Sequence, residues 1–201
     1  MNQTENGNLK PLVEAVNLKK YFDIPGKGRL HAEDDVSFSI SAGETLGLVG
    51  ESGCGKSTVG NVIMRLLRQT SGKLLFEGKN IYDASGKESL ELKQKMQMKF
   101  QDPYSSLNPR KTIRSILREP FEIHKIGTSS EIDNIVKNLC DQVEIPLNLL
   151  SHYPHELDGG MRQVVGIARA LSLSPRFVVC DEPVSSLDVS VQARILNLLI
   201  D

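Results

Sequence analysis

The sequence predicts an α/β fold organised around one glycine-rich loop, and three observations carry that expectation. Thr45-Leu46-Gly47-Leu48-Val49 reads as a buried strand, and Gly50 to Thr58 follows as a tight turn rich in glycine. After the turn, Val59, Val62, Ile63, Leu66 and Leu67 recur at i, i+3, i+4, i+7 and i+8, which predicts a helix with one apolar face against a sheet. Further on, the apolar run Phe177-Val178-Val179-Cys180 reads as a second buried strand that ends on Asp181-Glu182-Pro183.

The remaining elements follow in order. Residues Met1 to about Lys10 are polar and predict a frayed end. Leu12 to Val16 reads as a first strand, followed by Leu18-Lys19-Lys20-Tyr21-Phe22, whose two aromatics stand out in a chain with 5% of them. The loop Pro25-Gly26-Lys27-Gly28 leads to Val36-Ser37-Phe38-Ser39-Ile40, which alternates like a half-buried antiparallel strand. Leu74 to Phe76 predicts another strand, and Met96, Met98 and Phe100 alternate with Gln97 and Lys99 before Gln101-Asp102-Pro103 ends the run.

From Ser105 to about Pro154 the pattern turns helical, with Ile113, Ile116 and Leu117 and then Ile132, Ile135, Val136 and Leu139 at helical spacing. This segment reads as a helical insertion spanning 102–158, between α/β portions at 1–101 and 159–201. A helix over Met161 to Ser172 precedes the Phe177 strand, and Val191, Ile195, Leu198 and Leu199 suggest a last helix.

Composition narrows the function classes. At 201 residues the chain is long enough for one domain with a real core. Lys plus Arg (24) nearly balances Asp plus Glu (25), so no strong field points to nucleic acid as a partner. No apolar run reaches the length of a membrane span and the N-terminus has no signal-like apolar region, which predicts a cytosolic chain unless it docks on something membrane-bound. Cys54, Cys140 and Cys180 lie far apart, and no metal spacing appears among them or around His152 and His155.

The loop carries the chemistry. Gly50-Glu51-Ser52-Gly53-Cys54-Gly55-Lys56-Ser57 fits G-x-x-x-x-G-K-[ST] between strand and helix, the context in which this pattern cradles phosphate. Its glycines let phosphate oxygens approach the backbone, and its amides form an anion nest at the positive end of the helix dipole. Lys56 can reach the β and γ phosphates of a nucleotide, and the Ser57 hydroxyl can join the shell of Mg²⁺.

Together with that loop, four further segments resemble the ATP-binding subunit of ABC transporters. They are Gln101, Leu157-Asp158-Gly159-Gly160-Met161, Phe177 to Glu182, and Ser185-Ser186-Leu187-Asp188, and their order and spacing match the family across essentially the whole chain. The oligopeptide and dipeptide importer branch is the nearest in pattern, through Gly47 to Lys56, Phe100 to Arg110, and Val179 to Ser185. The resemblance implies a P-loop NTPase fold, a RecA-like core with an N-terminal antiparallel β subdomain plus an inserted all-helical subdomain. It also implies ATP and Mg²⁺ as cofactors and ATP hydrolysis coupled to transport.

Site roles follow from the same resemblance. Lys56 clamps the phosphates, Ser57, Gln101 and Asp181 serve Mg²⁺, and Glu182 orients the attacking water as general base, which is what phosphoryl transfer to water needs. Gly50, Ser52, Gly53, Cys54, Gly55 and Thr58 complete the phosphate loop. Tyr21 matches the aromatic that stacks on adenine, although an aromatic there equally suits a core, and Phe22 is the alternative. Asp158, Gly159, Gly160, Met161 and Asp188 would face the ATP held by a second ATP-binding subunit in a head-to-tail pair, homodimeric or heterodimeric. Transmembrane permease subunits and, indirectly, an extracellular solute-binding protein are the other implied partners, with the chain peripheral on the cytoplasmic side of the membrane.

The pattern departs from the family at several positions. Asp158 stands where Ser is usual; it is acceptor-only at neutral pH, and one like charge at about 4 Å from phosphate costs roughly 1–4 kcal/mol. Asp is also a good helix N-cap, and both readings can hold. Val164 replaces a usual Arg, Glu33 a small apolar residue, and Lys99 an apolar strand residue, for which snorkelling to a sheet edge is the expectation. No histidine follows His155, whereas the family continues to another strand and a histidine that contacts the γ-phosphate; a truncated chain that binds ATP and hydrolyses it poorly is therefore an alternative. A soluble ABC-type ATPase outside transport is a further one. The transported solute is not legible in the residues.

Overall fold

The computed structural model describes residues 10–51, 53–102, 106–182, 192, 193, 196 and 197. By its internal contacts the chain divides between Leu92 and Lys93 into two compact units.

The first unit is an antiparallel sheet with a short helix. Strands β1 (Val13–Ile24) and β2 (Gly28–Ile40) form a long hairpin, and β3 (Ser71–Phe76) and β4 (Lys79–Asn80) complete the order β2-β1-β3-β4. The two strand patterns expected at the sequence level are thus the far ends of one hairpin, paired from Val13↔Ile40 to Ile24↔Gly28. Register shifts between Ala15 and Tyr21 interrupt it, with Asn17 at φ 48. Val13, Ala15, Leu18, Ile40, Leu74 and Phe76 are buried, together with Val59, Val62 and Ile63 of helix α1 (Lys56–Ile63).

Two expectations for this unit do not hold. Thr45 to Val49 forms no strand: residues 44–50 are irregular and the segment is exposed, Val49 to 94%. A buried strand of the parallel kind is stable only with ladder partners and covered faces, and this unit contains an antiparallel sheet in which 45–49 has no pairing. Leu66 and Leu67 do not extend α1 either. Met64 caps the helix and Arg65 turns left-handed at φ 59, leaving Leu66 exposed. Arg65 fixes that break by donating to Ser89 Oγ (3.3 Å) and to the Ala84 carbonyl (3.2 Å).

Helix α2 (Gly86–Lys95) spans the division between the units and buries none of its residues. In the second unit, β5 (Met96–Lys99) pairs in parallel with β6 (Phe177–Cys180), from Met96↔Phe177 to Lys99↔Cys180. Between them lie α3 (Ile113–His124), α4 (Ser129–Gln142), two 3₁₀ turns (Leu147–Ser151 and Pro154–Glu156) and α5 (Gly159–Leu171). Thr112 caps α3 by accepting from the Ser115 amide, and Thr128 with Glu131 forms a capping box at α4. Ile113, Ile116, Leu117, Ile132, Val136 and Leu139 share one buried cluster with Val165 and Ala168 of α5, while Ile135 faces out. Arg118 ties α3 to α4 through Asp133 Oδ1 at 2.6 Å, and that guanidinium holds the Asp133 carboxyl below the usual range.

Candidate functional site

The phosphate loop lies in the first unit. Gly53 and Gly55 have φ of 81° and 103°, left-handed values that L side chains rarely adopt. Gly55 is the N-cap of α1 and supplies no side-chain acceptor, while its carbonyl accepts from the Thr58 and Val59 amides (2.7 and 3.0 Å). The Lys56 ammonium folds back across the loop onto the Gly50 and Glu51 carbonyls (2.8 and 2.6 Å) and approaches Cys54 Sγ at 3.6 Å. Loop and lysine therefore form one closed ring, with Cys54 and Ser57 exposed on it. Such a ring can exchange its own carbonyls for phosphate oxygens at the ammonium, a stronger charge-assisted pairing.

Glu33, for which the sequence offers no account, sits against this loop. It is 7% exposed, its Oε1 has no hydrogen-bond partner among the described residues, and it packs on Gly55 together with the Ala32 carbonyl. Burial pushes its carboxyl up from the ordinary 4.5 to about 7. The folded chain thus keeps a proton here that the unfolded chain releases above about 4.5, so stability falls as pH rises towards 7 and stays lower above it. The shift corresponds to a cost on the order of 3 kcal/mol above pH 7. Urea denaturation at pH 5, 6, 7 and 8 is expected to show that loss in the wild type and to lack it in Glu33→Gln. Parallel pH profiles would contradict this.

Tyr21 lies on β1 opposite His31 of β2, with ring centroids 4.0 Å apart and nearly parallel planes. Its hydroxyl donates to Asp34 Oδ1 at 2.6 Å, which fixes the ring and raises the phenol's pKa. One face of Tyr21 is therefore already stacked, and it is a surface aromatic rather than a core one. Phe22, the alternative, carries Lys20 Nζ 4.6 Å above its ring.

The second unit holds the carboxylate pair. Asp181 and Glu182 follow β6, and Glu182 has a left-handed φ of 47°. Gln101 donates from Nε2 to Glu182 Oε2 at 3.0 Å, so the structure brings together two residues 81 positions apart that the sequence singled out separately. Asp158 is the N-cap of α5, its Oδ1 accepting from the Met161 amide at 2.7 Å, with Gly159 and Gly160 in the first turn. The N-capping reading of Asp158 holds. Val164 packs against the apolar cluster of this unit, which suits its departure from Arg.

Lys99 does not snorkel. It is 2% exposed and turns inward, donating to the Asp181 and Glu182 carbonyls at 3.3 and 3.1 Å. Burial lowers its pKa, opposed by the charges of Asp181 and Glu182. An edge position alone does not let a lysine reach water when two strand-end carbonyls accept it first. Of the remaining expected residues, Ser52, the segment Ser185-Ser186-Leu187-Asp188 and the helical pattern from Val191 to Leu199 fall wholly or largely outside the described residues.

The donors offered to a metal by Ser57, Gln101 and Asp181 are a hydroxyl, an amide oxygen and a carboxylate. With its Nε2 engaged by Glu182, Gln101 keeps its Oε1 as the acceptor. Ser57 lies in the first unit and Gln101 and Asp181 in the second, and oxygen donors of these kinds suit a hard cation such as Mg²⁺.

The oligopeptide transport ATP-binding protein OppF of Bacillus subtilis (strain 168) is 50% identical over 190 residues, covering 94% of this chain and 62% of OppF. AppF, an oligopeptide transport ATP-binding protein of the same organism, is 47% identical over 199 residues, covering 96% of this chain and 60% of AppF. The chain thus spans about three fifths of the length of these relatives. Among solved structures, the dimeric ATP-binding cassette MJ0796 in a post-hydrolysis state bound to ADP and Pi superposes with a TM-score of 0.85, at 28% identity over 93% of this chain and 81% of that one. No helix among the described residues is long and apolar enough to cross a membrane. Residues 33–185 match the ABC transporter family, to which this chain belongs.

Proposed function

We propose that the chain is the ATP-binding and ATP-hydrolysing subunit of an ABC importer for oligopeptides or dipeptides. The observation that carries the hydrolytic part is the Gln101–Glu182 hydrogen bond at the end of β6, which aims a carboxylate as a general base requires. Lys56 and the loop amides bind the phosphates, and Glu182 takes the proton of the attacking water. Ser57, Gln101 and Asp181 would hold Mg²⁺, which when bound would supply charge neutralisation at the phosphoryl group. Tyr21 presents its ring to adenine, with His31 stacked on it and the Arg29 guanidinium 5.9 Å from its centroid. The peptide class rests on the names of the relatives, OppF and AppF.

In this reading 1–101 and 159–201 form the nucleotide-binding core and 102–158 the helical subdomain. Asp158 to Met161 and Asp188 complete the site of a second ATP-binding subunit in a head-to-tail pair, and the dimeric state of the MJ0796 cassette supports the pairing. The subunit is peripheral to the membrane and docks on permease subunits. Uptake of a labelled tripeptide by cells that depend on this subunit tests the assignment. Lys56→Ala is expected to abolish uptake, and unchanged uptake would contradict the assignment.

A second reading, a partner subunit with weak hydrolysis, is favoured by Asp158 alone. Its carboxylate is an acceptor where a hydroxyl donor would serve phosphate better. Asp158→Ser keeps an N-cap, so stability is expected to stay within about 0.5 kcal/mol, while turnover of the assembled pair rises. Steady-state phosphate release checks this, and an unchanged rate would show that Asp158 is a cap and nothing more.

A further inference from the structure

Lys99 is the buried charged group that the mechanism above leaves unused. It bonds to three consecutive peptide groups at the end of β6. Its own carbonyl accepts from the Asp181 amide at 3.0 Å, and its ammonium donates to the Asp181 carbonyl and the Glu182 carbonyl. The peptide planes on both sides of the Asp181 and Glu182 α-carbons are thereby tied to one residue. Two planes fix φ and ψ of the residue between them, and φ and ψ fix where its Cα–Cβ bond points. Glu182 needs this restraint, because its φ of 47° is one that a residue with a Cβ seldom adopts unaided.

We propose that Lys99 is a positioning residue for the Asp181–Glu182 pair, setting the direction of both carboxylates through their backbone while Gln101 holds the Glu182 side chain. The proposal rests on the reading of Glu182 as the base and Asp181 as a metal-side residue. A lysine is suited to the task, since one ammonium carries three donors and can satisfy two carbonyls together. An apolar residue at this position would leave both carbonyls to water or to other donors, and Glu182 could relax towards an ordinary φ.

The test uses Lys99→Met, which keeps an unbranched chain and removes the donors. Steady-state ATP hydrolysis is expected to fall about 10- to 100-fold in kcat, with metal-free ATP affinity within about two-fold, as for loss of positioning without loss of the phosphate loop. In a Glu182→Gln background the same substitution is expected to lower kcat by a smaller factor than in the wild type, because one of the two groups it aims is gone. A loss from general misfolding would instead multiply with that of Glu182→Gln and weaken ATP binding.

A second readout needs no turnover. The tightening of ATP binding by Mg²⁺, which reports Asp181, is expected to shrink in Lys99→Met while metal-free ATP affinity stays unchanged. If Glu182→Gln is inactive but Lys99→Met matches the wild type in kcat and in Mg²⁺ dependence, Lys99 has no positioning role and the reading of Glu182 stands. Wild-type turnover in Glu182→Gln would overturn that reading itself, and with it the role of Lys99 toward the water.

Discussion

Glu182→Gln is expected to lower ATP turnover by about 10²- to 10⁴-fold, the range associated with loss of a positioned general base, while ATP affinity stays close to that of the wild type. The reasoning is geometric. Glutamine is nearly isosteric, can still pair with Gln101, and leaves the phosphate loop untouched. It cannot take a proton from water. Because Gln101 Nε2 donates to Glu182 Oε2 at 3.0 Å, an amide at 182 preserves the contact when its oxygen occupies the same place. Burst and steady-state phosphate release, measured beside nucleotide titration, separate the two quantities. If binding and turnover fell together, Glu182 would be holding the site in shape and some other group would serve as base.

Gly55→Ala has the second largest expected effect, and here the sequence motif and the structure give independent reasons. A Cβ at Gly55 would lie 2.6 Å from the Ala32 carbonyl oxygen and closer still to Glu33 Oε1. The residue also has φ 103°, where alanine is strained before any neighbour is considered. Removing the Glu33 side chain relieves one contact only, because the other is backbone and cannot rotate away. We expect Gly55→Ala to cost at least about 3 kcal/mol of stability and to eliminate measurable ATP binding. In Glu33→Ala/Gly55→Ala, part of the stability returns and binding does not. Urea denaturation with ATP titration of the two variants beside the wild type checks this. A stable Gly55→Ala protein that binds ATP would mean that the loop rearranges freely.

The parts of the fold that could be read from the residues are those in which local chemistry and packing agree. Ile113, Ile116, Leu117 and Ile132, Val136, Leu139 lie on helix faces that are buried, and Thr112, Thr128 and Asp158 supply the caps that start those helices. Phe177 to Cys180 is a strand as its apolar run indicates, although it is half-buried rather than buried. Helix α2 is not evident in the sequence because Gly86 to Lys95 is mostly polar and buries nothing, so it has no apolar stripe to reveal it. Thr45 to Val49 misled in the opposite direction: its apolar run has strand character, but a strand needs a ladder, and β1 to β4 provide none for it.

The candidate site divides in the same way. Motif spacing marks the loop, and a carboxylate pair closing an apolar strand marks Asp181–Glu182, whereas Gln101 carries no signal alone and is marked only by the family resemblance. Lys99 and Glu33 registered only as departures from pattern, since their roles come from contacts across 82 and 22 positions that no local window spans. Tyr21 was marked as an aromatic in the right place, but its partner His31 lies on the neighbouring strand and becomes visible with the hairpin register Tyr21↔His31.

Calorimetric titration of Mg-ATP into the purified chain, beside Lys56→Ala, tests the central claim most directly. One site with micromolar affinity, lost on removing the ammonium that now rests on the Gly50 and Glu51 carbonyls, is the predicted result. A flat titration with the folded wild-type chain, or equal binding by Lys56→Ala, would contradict it.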